Sequence, residues 1–277
     1  MQNWLITGAS SGLGYGIALA ALKENRKVVI TARDKRRLTQ LEKEWPGQAF
    51  AVELDLANKD SITRAAHESL EILGSVDVLI NNAGHGYRAA IEESEPDSVA
   101  ELFQTNFFGP MDLTRALLPS MRARKSGLIV TVSSIGAVRG ALGNGYYSAA
   151  KGALELASEA LAKEVDHLGI HLMLVEPGAM RTEFFDDRLG ATSHSISDYD
   201  VLAARYRKNA IEQTHDQPDD PLNGGKTIVD TVLGRHGKLP ARLLLGSDAA
   251  TAAQTVLETR LEEAKTWAPV SVLADFA

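Results

Sequence analysis

A tyrosine and a lysine four residues apart, Tyr147 and Lys151, open an Ala-rich helical pattern just after an apolar, β-branched run that begins at Ile129 and ends in Ser133 and Ser134. On a helix that spacing puts both side chains on one face about one turn apart, within reach of a common ligand. A phenol has a pKa of about 10, and an ammonium beside it favours the phenolate, so the pair can pass a proton near working pH. A hydroxyl from Ser134, carried at a strand end, would hydrogen-bond the oxygen that gains charge. A half-buried aromatic at a helix start followed by a solvated lysine produces the same spacing, so the rest of the chain decides between the two.

The elements that must position this pair begin at the N-terminus. Asn3 to Thr7 reads as a short strand, the stretch TGASSGLG follows, and a helical pattern runs from Tyr15 to Lys23. Gly8, Gly12 and Gly14 thus lie on a strand-to-helix turn, where backbone can approach a phosphate and a helix N-terminus presents free N–H groups. Ser10 and Ser11 add hydroxyl donors. Lys27 to Thr31 is a second strand, and the acid that holds a free ribose hydroxyl in many dinucleotide sites is expected at its tip. Here the tip reads Thr31-Ala32-Arg33, with Lys35, Arg36 and Arg37 behind it. Such a tip suits a 2′-phosphate, which points to NADP(H), with NAD(H) as the alternative that Asp34 keeps open.

Strand Ala49 to Leu54, helix Lys59 to Leu73 and strand Val76 to Asn81 continue the alternation, which argues an α/β, doubly wound, mainly parallel sheet with ligands at its carboxyl edge. At that edge lie the turns Asp55-Leu56 and Asn81-Asn82-Ala83-Gly84. Ser94 is expected to cap one long helix through Arg124, with Pro96 in its first turn. Asn106 falls inside it among Phe103, Phe107 and Phe108, where an amide needs partners: a structural hydrogen bond or a function. His171 to Val175 forms a sixth strand ending in Glu176-Pro177-Gly178, with Thr182 placed to touch a ligand there.

Length and composition fit this frame. The 277 residues can bury one large core, and 29 Lys+Arg against 36 Asp+Glu leave a formal charge of −7 that makes nucleic acid a poor partner. Without cysteine there is no disulfide and no thiolate metal site. The histidines, among them His85, His171 and His194, show no ligand spacing, so no metal is expected. No leader precedes the first apolar run and no apolar run reaches membrane-spanning length, so the expected compartment is the cytoplasm.

Taken in order, TGASSGLG, Asp55-Leu56, NNAG at 81 to 84, Asn106, Ser134, Tyr147-x-x-x-Lys151, Pro177-Gly178 and Thr182 resemble the short-chain dehydrogenase/reductase family, in its single-domain branch. The resemblance covers roughly Asn3 to Thr182 and overturns the bland reading of Tyr147. It implies about seven mainly parallel strands and an oxidoreductase moving a hydride between NADP(H) and a carbonyl or secondary alcohol. It implies Tyr147 as general acid/base, Lys151 lowering the tyrosine pKa and holding the nicotinamide ribose, Ser134 orienting the reacting oxygen, and Asn106 supporting a water that links Lys151 to solvent. Tyr146 lacks a lysine four residues on, and Ser133 falls off the family interval. Gly8, Ser10, Ser11, Gly12, Leu13 and Gly14 would wrap the pyrophosphate and adjoining ribose, Asp55 and Leu56 bracket adenine, Asn82, Ala83 and Gly84 line the cofactor, and Pro177, Gly178 and Thr182 hold the nicotinamide side.

Beyond Thr182 the resemblance thins. Residues 183–225 read as a lid over the substrate, including a polar helix from Asp200 to Thr214, and residues 226–277 as an extension of the same domain. Phe184, Phe185, Leu189, Tyr87 and Leu142 are candidate apolar walls, which suggests a substrate with a sizeable apolar portion. A helix from Pro221 to Leu233, a strand Arg242 to Leu245, and a helix capped by Ser247 or Asp248 and running toward Trp267 complete the chain. Ala149, Ala150, Ala153, Ala157 and Ala160 make a small-residue face that, with Leu102 to Met121, predicts a homodimer or homotetramer. A cofactor-sensing protein without turnover and a C=C reductase are the competing readings. The intact Ser-Tyr-Lys set and its short Tyr-to-Lys gap weigh against both.

Overall fold

Strands with few polar residues must bury both faces, and here all but the edge strand at residues 242–245 largely do. The computed structural model describes residues 2–185, 192, 195–201 and 216–276. Among them, seven parallel strands form one sheet in the order β3-β2-β1-β4-β5-β6-β7. The strands are β1 (Asn3–Ile6), β2 (Lys27–Ala32), β3 (Ala49–Glu53), β4 (Val78–Asn81), β5 (Gly127–Val132), β6 (Ile170–Pro177) and β7 (Arg242–Leu245). Every strand pair is parallel, so each connection crosses over a face, and buried strands of this kind read as unbroken apolar runs.

Alternate residues of the strands feed two cores. Trp4, Ile6, Val28 and Ile30 face one side, with α1 (Gly12–Lys23), α2 (Thr39–Glu44) and α8 (Pro221–Val232). Leu5, Val29, Val52 and Leu79 face the other, with α3 (Lys59–Leu73), α5 (Gly109–Arg124) and α7 (Gly145–Val165). Because β1 is flanked by β2 and β4, the chain order reverses there and a crevice opens at the carboxyl edge between β1 and β4. Among the described residues, no helix is long and apolar enough to cross a membrane.

Several expectations are corrected. The helix expected from Ser94 to Arg124 is three pieces: α4 (Pro96–Phe103), a π-helical turn at Gln104–Phe108, and α5. Pro110 has no N–H to return to the carbonyl of Asn106, so the ladder skips a residue and the Gly109 N–H reaches the Gln104 carbonyl instead. Ser94 is not the cap: Glu95 occupies that position, and the Ser94 hydroxyl donates to the Ala90 carbonyl. Neither Ser247 nor Asp248 caps the last helix, α9 (Ser247–Ser271), whose N-cap is Gly246. The Asp248 carboxylate instead accepts the backbone N–H groups of Ala179 and Ala249. The helix expected at Asp200 to Thr214, with Leu189 and His194, falls almost wholly outside the described residues, as does the Phe185 side chain.

The two helices closest to the crevice on the first face are pressed together. A Cβ on Gly225 would stand 2.2 Å from the Gly16 carbonyl carbon, and one on Gly16 would stand 2.3 Å from the Pro221 oxygen. Backbone-to-backbone contact of this kind cannot give way as a flexible side chain would. Gly225→Ala is therefore expected to cost about 2 kcal/mol and to lower the thermal midpoint by roughly 4–8 °C. A melting curve within about 1 °C of the parent would show that the helices separate freely.

Candidate active site

The crevice is built first by hydrogen bonds to one hydroxyl. Thr7, fully buried at the end of β1, accepts the N–H groups of Asn82 and Ala83 through Oγ1, each at 2.9 Å, and donates to the Ile80 carbonyl. The Asn82 side chain returns the contact, donating to the Thr7 and Gly8 carbonyls at 2.9 and 3.3 Å. The Asn82 amide thereby holds the glycine turn in place. Gly8, at φ 68°, admits this packing because a Cβ there would stand 2.9 Å from the Ala83 Cα.

The turn then opens α1. Ser11 is the N-cap in extended conformation, its hydroxyl makes no cap hydrogen bond, and no acidic residue sits in the first turn. Gly12, at φ 56°, would bring a Cβ to 3.0 Å from the Thr182 methyl, so the segment after β6 closes over the turn. Uncapped N–H groups, two serine hydroxyls and a glycine cradle make a donor set that fits a pyrophosphate. Leu13 packs its side chain into the core, leaving only its backbone to the turn.

Across the crevice, β5 delivers the second group. Ser134 caps α6 (Ile135–Val138), its Oγ accepting the Gly136 N–H at 3.0 Å. Tyr147, on the first turns of α7, is buried and lies beside Ser134 around Gly136. Burial pushes its phenol above the ordinary value, while the Ser134 hydroxyl and the Arg88 charge pull the other way. Lys151 is buried one turn on and donates to the Val132 carbonyl at 3.0 Å. Burial lowers its pKa to about 8, opposed by the charge of Glu155. Glu155 is held in turn by Arg242, which also pairs with Glu159 and the buried Glu176.

Asn106 is fully buried and fully used: Oδ1 accepts the His85 N–H at 3.0 Å and Nδ2 donates to the His85 carbonyl at 2.8 Å. The π-helical turn thereby clamps the loop after β4. A Cβ on Gly84 would lie 3.0 Å from Asn106 Oδ1 and 3.5 Å from Lys151 Nζ, so these three meet at one point of the crevice. His85 is half-buried there, and its burial, with the nearby charges of Arg33 and Lys151, lowers its pKa against the opposing charge of Glu101. His171, by contrast, is exposed beside Asp166.

Two residues that sequence reasoning passed over belong to this group. Arg88 is buried with its guanidinium 5.7 Å from the Tyr147 ring centroid, and its charge pulls the phenol pKa down against the effect of burial. The only signal was an arginine four residues past the Gly84 turn. Asn144, three residues before Tyr147, is buried, and its Oδ1 has no hydrogen-bond partner among the described residues. It lies close to Ser134 and Tyr147 around Gly136.

The outer parts of the crevice are more open. Arg33 is exposed just past β2, and it makes no ion pair among the described residues, whereas Asp34 is taken by Arg36 at 2.8 Å. Asp55 is half-buried at the end of β3, where its carboxylate accepts the Ala57 N–H, and Leu56 is buried beside Gly109. Pro177 ends β6, and the Gly178 N–H reaches the Leu245 carbonyl. Tyr87, Leu102 and Tyr147 pack with Tyr146 and Phe184 into an apolar cluster, the Phe184 ring meeting that of Tyr147 edge-on at 5.7 Å. Leu142 is half-exposed. The segment near 196 is tied to the same side: Glu93 accepts the Ile196 N–H and the Thr192 hydroxyl, and Tyr199 donates to Glu92.

The family described as short chain dehydrogenase matches residues 2–191. Oxidoreductase BOA17 of Botryotinia fuckeliana is 33% identical over 270 residues, with 97% of each chain covered. A solved short-chain dehydrogenase from Streptomyces avermitilis superposes at a TM-score of 0.90, with 39% identity over 99% of this chain and 98% of that one. A metagenomic short-chain oxidoreductase solved in complex with NADP is 33% identical, with a TM-score of 0.62 over 65% of this chain and 83% of that one.

The Lys151 environment has a measurable cost. With a folded pKa of about 8 against 10.5 in the open chain, the buried ammonium penalises the fold below pH 8, and the penalty fades as pH rises to 10.5. Its size is about 3 kcal/mol. Lys151→Met should raise the melting temperature at pH 7 and flatten the rise in stability between pH 8 and 10; a variant that melts lower at pH 7 would show the charge to be stabilised in place.

Proposed function

The chain belongs to the short-chain dehydrogenase family and is an NAD(P)-dependent oxidoreductase, and from that premise we propose that it transfers a hydride between NADP(H) and a carbonyl or secondary alcohol, with Tyr147 as general acid/base. The observation that carries this reading is the meeting of buried Tyr147, beside Ser134 around Gly136, with a buried Lys151 at the edge of a crevice whose other wall is the glycine turn.

The bound nicotinamide supplies or accepts the hydride. Everything else falls to side chains. Gly8, Ser10, Ser11, Gly12 and Gly14 hold the pyrophosphate on the uncapped α1 terminus, and Asn82, Ala83, Gly84, Pro177, Gly178 and Thr182 form the walls beside it. Asp55 and Leu56 flank the adenine. Ser134 fixes the substrate oxygen against the Tyr147 hydroxyl. Burial keeps that phenol protonated at rest, so it is ready to donate to a carbonyl oxygen during reduction, and the Arg88 charge stabilises the phenolate left behind. Lys151, kept charged by Glu155, holds the nicotinamide ribose and returns the proton. Asn106 positions the His85 backbone beside Lys151, on the path to solvent.

The preference for NADP(H) rests on Arg33, exposed past β2 while Asp34 is occupied by Arg36. A substrate with a sizeable apolar portion fits the cluster of Tyr87, Tyr146 and Phe184, over which residues 183–225 act as a lid. Residues 226–277 complete the same domain. Copies associate along α7 and α5 with the π-helical turn before it, where Leu156 and Phe108 are exposed.

Tyr147→Phe is expected to lower kcat about a thousandfold or more with NADPH binding, read by nucleotide fluorescence, within about twofold of the parent. Turnover that survives this change would remove the tyrosine from the reaction. Arg33→Asp should reverse the ratio of kcat/KM for NADPH over NADH, and a variant that still prefers NADPH would place the 2′-phosphate on other cations.

A further inference from the structure

The last helix outruns the domain it belongs to. Ala249 and Ala253, on the first turns of α9, are buried, but from Gln254 to Ser271 no residue is. About 27 Å of helix therefore projects past the last buried residue. A lone helix of this length is marginal in water even with a favourable sequence, and this one exposes Leu257, Leu261 and Trp267, each more than half accessible.

The sequence of the projecting part is patterned. Leu257, Leu261, Ala264, Ala268 and Val272 follow at spacings of four, three, four and four, so they form one stripe in line with buried Ala253. Thr255, Thr259, Glu262, Glu263 and Thr266 occupy the opposite face. Arg260 and Trp267 flank the stripe on one side, Glu258 and Lys265 on the other. The acids outnumber the bases along this stretch, which disfavours an anionic lipid surface.

We propose that the projecting half of α9 pairs antiparallel with α9 of a second copy of this chain. In that arrangement Leu261 packs on the partner's Ala264 and Leu257 on the partner's Ala268, large against small in each layer. The same register sets Glu258 beside the partner's Lys265 and Arg260 beside the partner's Trp267, so one flank pairs opposite charges and the other lays a guanidinium against an indole. A two-fold axis repeats each contact. Two free peptides would not hold so short a seam, but both strands are presented already helical by folded domains, which removes much of the ordering cost. This contact is separate from the one on α5 and α7, and it leaves the crevice untouched.

Light scattering and sedimentation velocity on the full chain test the pairing. Leu261→Glu should halve the mass of the assembly while melting temperature and NADPH turnover stay at parent values. Glu258→Lys and Lys265→Glu should each weaken the association about fivefold, and the two together should restore it to within about twofold, because the reversed pair is again complementary. An unchanged mass for Leu261→Glu, or a double reversal weaker than either single change, would overturn the proposal. So would a parent protein whose mass is insensitive to this helix but which floats with phosphatidylcholine vesicles, since a lipid surface would then be the occupant.

Discussion

One buried hydroxyl joins the two halves of the ligand edge. Thr7 belongs to the glycine turn after β1, and the two N–H groups it accepts belong to the turn after β4, so the walls of the crevice are fixed to each other at its floor. The Asn82 amide closes the knot from the other side. Each of these groups is buried or half-buried, where a lost partner costs the full desolvation of the group left behind. The turn geometry that suits a phosphate is therefore paid for inside the protein, before any ligand arrives.

Charge in the crevice is arranged against the grain of burial. Lys151 loses most of its hydration and keeps its proton through Glu155, which Arg242 holds in turn. Tyr147 is pushed the opposite way, toward the neutral phenol, with Arg88 and Ser134 opposing. The result is an ammonium that gives up its proton more readily than in water next to a phenol that holds its proton more firmly. The two shifts move the pair apart, so a phenolate left at Tyr147 recovers a proton from the Lys151 ammonium downhill, and the phenol is the resting form.

What could be read from the residues alone was local. The strands and the glycine turn announce themselves by apolar runs and punctuation, and the spacing from Ser134 to Tyr147 to Lys151 survives because one strand end and one helix face carry it. The break at Gln104–Phe108 was hidden because the helical pattern continues through it; only the missing N–H of Pro110 marks the place. Asp248 looked like a cap because acids favour that position, yet its carboxylate serves a loop 69 residues earlier. Arg88 and the true partners of Asn82 depend on which segments the fold brings side by side.

The contact of α1 with α8 joins the first quarter of the chain to the last. The apolar side of α1, with Ile17 and Ala21, is finished only by Ile228, Val229 and Val232. During synthesis the ribosome releases the N-terminal strands and helices long before that cover exists, so a greasy surface must wait, exposed to chaperones or to the wrong neighbour, until the closing segment emerges. Truncation near the C-terminus would thus be felt at the nucleotide end, far from the cut in sequence and adjacent to it in space.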